Sequence, residues 1–221
     1  MVNKIKYPRT YHLPYSPSKT DDDKTLDSDS HFSEMDEVVV TIKMDGENTT
    51  VYNDGSIHAR SLDGYGKPWQ KIVKGIIQYW CYNIPDGWRV CGENLQARHS
   101  IKYVFNSREE MFQCFGIYNE KNECLSWDDT MKFCKENGIE MVHQLYRGPY
   151  NKEKILEVFN KFAHDMGIVG QDVEGFVVRN AESFHYEDFK NNVGKYVRSN
   201  HVQTNEHWTR NWADNAIIII K

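Results

Sequence analysis

The stretch "VVVTIKMDGENTTVYNDGSIHARS", residues 38–61, decides how this chain is read. β-Branched residues crowd 38–42 and predict a buried strand, and Lys43 stands where that run stops. Asp45-Gly46 predicts a tight turn, and β-prone runs after it predict strands over 48–52 and 56–60. A lysine on a solvated turn would carry no message. Lys43 instead follows Val38, Val39, Val40 and Ile42, so its stem enters a partly buried place. An amine there is a structural cation or a nucleophile. Attack on phosphorus needs the neutral amine, hence a pKa lowered by burial, nearby cations or a metal. Alone, K-x-D-G does not decide between the two, because three specified residues recur by chance.

Outward from this stretch, further strands are expected over 88–93, 111–118, 174–179 and around 195–198. Helices fit Trp69–Tyr79, Trp127–Asn137 and Lys152–Met166. In the last, Ile155, Phe159, Phe162 and Met166 recur at helical spacing, with Gly167 as the stop. Trp127, Met131 and Cys134 form the apolar face of the middle helix, and Gly138 ends it. Both stripes read as core. Residues 1–30, rich in proline and aspartate, read as an extended segment wrapped over the domain. The pattern predicts a β-rich α+β fold with mostly antiparallel strands.

Composition narrows the class. The chain has 221 residues, enough for one sizeable core, and is 39% hydrophobic. No apolar run reaches the length of a membrane span, and the N-terminus has no apolar leader segment. Five cysteines form no CxxC pair, which predicts reduced, buried thiols in a cytoplasmic protein and no zinc site. The net charge of −5 argues against non-specific nucleic-acid binding, but the charge is unevenly spread. Residues 20–37 hold eight acids, among them Asp21, Asp22 and Asp23, against Lys24. Residues 189–210 hold Lys190, Lys195, Arg198 and Arg210 against Glu206, with His201 and His207 besides. A basic face on an acidic domain still suits polyphosphate or nucleic acid; a solvated surface is the plainer reading.

Four further stretches change the odds on Lys43. They are "CGENLQARHSIKY" (91–103), "FQCFGIY" (112–118), "VEGFVVR" (173–179) and "VGKYVR" (193–198). In this order, with "KMDG", they resemble the motifs of the covalent nucleotidyltransferases, the polynucleotide ligases and mRNA capping enzymes. The chain is most similar to the phage-type ATP-dependent RNA ligases, over about 38–208. That resemblance implies a single nucleotidyltransferase domain, 31–221, of mostly antiparallel sheets with flanking helices, behind the segment 1–30. It also implies a phage-encoded protein of the host cytoplasm.

The resemblance implies roles as well. Lys43 would attack the α-phosphorus of ATP and hold AMP through a phosphoramidate. Asp45 and Gly46 belong to the same motif, and Asn48 and Arg60 would lie near phosphate or ribose. Glu93 would bind the ribose and Phe115 would stack on adenine, although a plain core aromatic is the equal alternative. Glu174 would hold Mg²⁺ or Mn²⁺, and Lys195 would contact the α-phosphate. Hard carboxylate oxygens and clustered cations suit a displacement at phosphorus. RNA with a 5′-phosphate and a 3′-hydroxyl would be gripped by Arg98, Lys102, Lys190, Arg198 and Arg210.

Two departures qualify the match. The cation two residues after Lys195 is replaced by Val197, and Arg198 falls on the opposite side of an ideal strand. The stretch after Arg198 is too short for an OB-fold, so none is expected. A DNA ligase, a guanylyltransferase and a non-enzymatic nucleic-acid-binding relic remain the alternatives.

Overall fold

The structure, a computed structural model, describes residues 3–19, 23–62, 66–199 and 212–218. Its strands begin with β1 (Tyr11–His12), β2 (Val38–Lys43), β3 (Glu47–Val51), β4 (Ile57–Ala59), β5 (Arg89–Asn94) and β6 (Val104–Phe105). They continue with β7 (Phe112–Tyr118), β8 (Glu123–Cys124), β9 (Gln144–Gly148), β10 (Gly175–Asn180), β11 (Phe184–His185), β12 (Val193–Val197) and β13 (Ala216–Ile217). The helices are α1 (Lys71–Ile77), α2 (Trp127–Asn137), α3 (Lys152–Ile168) and one turn, α4 (Phe189–Asn192).

One sheet runs β1-β12-β10-β2-β9, a second runs β11-β8-β7-β5-β3-β4, and β13 pairs with β6. Among the paired strands of the described residues only β1–β12 and β6–β13 are parallel, so the expected α+β fold of mostly antiparallel sheets is present. Among the described residues, those beyond Arg198 contribute only β13, and there is no OB barrel.

β2 shows why its run is continuous and not alternating. It lies between β10 and β9, and residues 38–42 are all buried. Val38 and Val40 pack with Ile155 and Phe159 of α3. Val39, on the other face, packs with Trp127 of α2. Helices cover both faces, so both sets of side chains are apolar. Each buried valine contributes roughly 1.5–3 kcal/mol over its exposed state.

The helices end by ordinary means. Ser126 Oγ accepts from the Asp129 amide at the start of α2, and Gly138 closes it in the left-handed region, φ 63°. α3 differs from expectation. It runs through Gly167 to Ile168, and the left-handed glycine is Gly170, φ 75°. The first helix is also shorter than expected, because Pro68–Gln70 is a 3₁₀ turn and α1 proper is 71–77. β9 was not legible: it is an edge strand of half-exposed residues with no alternation.

The turn expected at Asp45-Gly46 is a different device. β2 and β3 do not pair with each other; residues 44–46 carry the chain from one sheet to the other. Gly46 is needed for close approach: a Cβ there would lie 2.5 Å from the Asn94 carbonyl oxygen and 2.8 Å from Leu95 Cδ2. All five cysteines are free and buried. No helix among the described residues is long and apolar enough to cross a membrane.

Candidate active site

The step from β2 to β3 opens a cleft of about 540 Å³ between the two large sheets. Lys43 lies at its floor. The β2–β10 register places Lys43 opposite Gly175, which brings the preceding residue, Glu174, alongside. Lys43 Nζ donates to Glu174 Oε2 at 2.6 Å, with side-chain exposures of 24% and 10%. Glu93, on β5, joins from the second sheet, where β3 and β5 pair Asn48 with Glu93. Its Oε1 accepts from the Gly46 amide at 3.2 Å. Two sequence-distant carboxylates thus converge on one amine.

The electrostatics differ from the simple expectation for a buried lysine. Burial pulls the Lys43 ammonium down, but Glu174, Glu93 and Asp45 together outweigh it and hold its pKa above the ordinary lysine value. Glu93 is pushed up to about 8, first by burial and then by Glu174 and Asp45, against the opposing pull of Lys43. Lys195 behaves the other way. Burial, with help from Lys43, lowers its pKa despite the Asp23 carboxylate 3.0 Å from its Nζ.

The remaining residues of the nucleotide set sort by position. Asn48, Arg60 and Phe115 line the cleft with Lys43, Gly46, Glu93 and Lys195. Asn48 Oδ1 is buried without a hydrogen-bond partner, an acceptor that a ligand donor would satisfy. Phe115 is half-buried, across the cleft from Val177, with the Tyr7 ring edge-on at 5.1 Å. Asp45 is turned away: its Oδ2 accepts from Ser100 Oγ and from the amides of Ser100 and Ile101, at 2.7–2.9 Å. It fixes the loop after β5 and does not line the cleft.

The cations assigned to RNA are dispersed. Arg98 and Lys102 are exposed on the loop that Asp45 holds. Lys190 Nζ lies 3.8 Å from Asp27 Oδ2 and 5.3 Å from the Tyr11 ring centroid. Arg198 donates to Asp172 Oδ1 at 2.6 Å and to the Val173 carbonyl, outside the cleft lining. Acids on neighbouring loops therefore balance two of the four described cations. Asp21, Asp22, His201, His207, Trp208 and Arg210 lie outside the described residues.

The sequence reading missed one wall. Lys6, Tyr7, Pro8 and Thr10 line the cleft, held by the Ile5 amide on Tyr52 Oη and by Tyr186 Oη on the Lys6 carbonyl. The sequence signal was the proline-rich composition of residues 1–30, which predicts a segment wrapped over the domain but assigns it no role at the site. Arg179 is buried in the cleft wall. It donates to the Leu125 and Asn180 carbonyls and lies over Trp127 and Phe184.

The RNA ligase family model matches residues 36–197, the span that contains Lys43, Glu93, Glu174 and Lys195. The chain belongs to the RNA ligase family. Solved structures share its fold. This family member superimposes on an archaeal ATP-dependent RNA ligase with a TM-score of 0.53 and 19% identity, over 88% of this chain and 48% of that one. A putative ATP-dependent DNA ligase from Aquifex aeolicus gives 0.55 and 18%, over 88% and 50%. A Naegleria gruberi RNA ligase gives 0.50 and 17%, over 82% and 55%. The chain thus spans about half the length of the solved structures it matches. No curated protein matches it.

Proposed function

We propose that this RNA ligase family member is an ATP-dependent RNA ligase that works through a lysyl-AMP at Lys43. The observation that carries the reading is the convergence of Glu174 and Glu93 on Lys43 at the floor of a cleft that reaches Asn48, Arg60, Phe115 and Lys195. Lys43 Nζ forms a bond to the α-phosphorus of ATP as the bond to the bridging oxygen breaks and pyrophosphate leaves. The proton that Lys43 must shed already has an acceptor in Glu174 Oε2. AMP then passes to an RNA 5′-phosphate, and a 3′-hydroxyl displaces it to close the strand.

The resting pair is set for the amine's charged form. Drawing Glu174 to another cation would remove the strongest influence that raises the Lys43 pKa and leave burial to lower it. No cluster of three or more His, Cys, Asp or Glu side chains is gathered for a metal among the described residues. A donor set of Glu174, with Glu93 near, fits Mg²⁺ or Mn²⁺ held by one or two carboxylates and the substrate phosphates. Bound there, the metal supplies charge neutralisation on phosphate. Lys195, on β12 of the same sheet, supplies a second positive charge, and Phe115 with Val177 offers apolar surfaces for the base.

The test is incubation with α-labelled ATP and Mg²⁺. The protein is expected to take label through a bond that survives alkali and breaks in acid, with ATP preferred over GTP. Comparable labelling by GTP would move the reading to the capping class. Sealing of a panel of 5′-phosphorylated RNA and DNA nicks and single strands then separates an RNA ligase from a DNA ligase. Binding without label would leave a non-catalytic relic.

A further inference from the structure

The N-terminal segment touches the cleft in two places, and the second is more than a wall. β1 runs parallel to β12 with His12 opposite Lys195. Gly194 permits the contact, because a Cβ there would lie 2.8 Å from Leu13 Cδ2 and 3.3 Å from Leu26 Cδ1. Ser16 Oγ accepts from the Val197 amide at 3.0 Å and meets His12 Nδ1 at 2.8 Å. The segment then turns back so that the His12 amide bonds the Lys24 carbonyl at 2.7 Å. This delivers the Asp23 carboxylate to Lys195 Nζ at 3.0 Å. His12 is almost wholly buried, its Nε2 lies 3.1 Å from the same Asp23 oxygen, and burial together with the Lys195 charge holds its pKa below the ordinary histidine value.

We propose that Asp23, backed by the buried His12, is a positioning residue for Lys195. It holds the ammonium charged and aimed along the cleft wall, so that the N-terminal segment completes the active site. The inference rests on the ligase reading above for what Lys195 does, but the contact has its own measurements. Lys195 lies half in an apolar wall, where an ammonium loses hydration. It faces Asp23 and His12 on the segment, and Lys43 and Glu174 on the same sheet. Lys43 repels it, and Glu174 is already engaged by Lys43. Asp23 is thus the nearest compensating charge.

The experiment compares Asp23→Asn, Asp23→Glu and Leu26→Ala in the full chain. The first readout is the titration of the Lys195 side chain by NMR of labelled lysine, without ligand. Asp23→Asn removes the carboxylate that favours the ammonium, so the Lys195 titration is expected at lower pH; Asp23→Glu is expected to restore it. The second readout is the rate of Lys43 labelling against pH. Asp23→Asn is expected to slow labelling by about ten- to a hundredfold, the scale of a misplaced catalytic group. Its fall-off at high pH should begin earlier than in wild type, with most of the rate recovered in Asp23→Glu. Leu26→Ala loosens the same segment from the core and is expected to lower thermal stability without moving the Lys195 titration. An unmoved titration in Asp23→Asn overturns the inference, as does the same titration shift in Leu26→Ala. Failure of the wild type to label Lys43 would count against the ligase reading alone, because the titration reads the Asp23 contact independently.

Discussion

Two strands of one sheet, β2 and β12 on either side of β10, each present a lysine to the cleft, and the two are held in opposite ways. Lys43 ends β2, the strand between β10 and β9, and meets Glu174 and Glu93 from two sheets. Lys195 lies on β12, whose outer neighbour is β1, and pairs with Asp23, while Glu174 is already engaged by Lys43. Both are desolvated, yet the pKa of Lys43 is raised and that of Lys195 lowered. The difference teaches that burial does not by itself make a lysine nucleophilic. The number of carboxylates within reach decides the sign, and a residue meant to lose its proton can rest as the better-paired of the two.

The largest expected effect is the most direct way to break that comparison. If Lys43 is the nucleophile and Lys195 only a charge, Lys43→Ala and Lys43→Arg both abolish labelling by α-labelled ATP, by roughly a thousandfold or more. Lys195→Ala should slow labelling by roughly a hundredfold while the label still lands on Lys43, and Lys195→Arg should recover part of the loss. Label retained in Lys43→Ala ends the assignment.

Glu174→Gln sharpens the comparison from the acid side. It keeps one oxygen but removes the charge that raises the Lys43 pKa, so the ascending limb of labelling against pH should move to lower pH. The rate should fall by roughly a hundredfold through weakened metal binding, with partial recovery at raised Mg²⁺ or Mn²⁺. If Glu93→Gln is rescued by metal and Glu174→Gln is not, the two carboxylates exchange roles.

Phe115→Ala should raise the KM for ATP by about tenfold and leave the label on Lys43, the scale of one lost base–aromatic contact. Phe115→Tyr should retain most of the affinity. Loss of thermal stability in Phe115→Ala with no change in KM would make it a core aromatic packed on Tyr7.

Glu93 gives a smaller, purely thermodynamic effect. Its folded pKa of about 8 lies above the ordinary 4.5, so the folded state binds the proton more tightly. That contribution is fully present below about 4.5 and is lost as pH rises through about 8. Thermal unfolding should therefore shift downward by a few degrees between pH 5 and 8.5, on the order expected for about 1–2 kcal/mol. Glu93→Gln should flatten that slope. An unchanged slope would show that Glu93 is ionised in the folded protein.

The least effect is expected outside the cleft. Lys190→Ala and Arg198→Ala each remove an exposed or half-exposed cation already paired, with Asp27 and Asp172 respectively. Such pairs contribute about 0–1 kcal/mol, so sealing should change within about twofold. A tenfold loss of sealing with intact labelling would return these cations to an RNA-binding face.

The legible part of this molecule was its interior. Val38–Ile42 could be placed because an unbroken β-branched run marks a strand buried on both faces, and the stripes of α2 and α3 because buried side chains follow the helical period. β9 and β1 could not, since an edge strand and a two-residue strand in a proline-rich segment carry no period. At the site, Lys43, Glu93 and Glu174 were legible because ordered motifs place them at strand ends. Asp45 was assigned to the nucleotide by its motif, and the structure turns its carboxylate to the 99–101 loop.

The sequence by itself determined the family-like order of motifs, the buried β2 and the identity of the amine that ends it. Those depend on local pattern: residue type, period and spacing. Tertiary structure decided which acids face which lysine, because register across β2–β10 and β3–β5 is a long-range property. It also decided that residues 44–46 cross between sheets and that Asp23, 172 positions from Lys195 in the chain, lies 3.0 Å from it. A carboxylate shifts a pKa through distance and desolvation, and neither quantity is written in the order of residues.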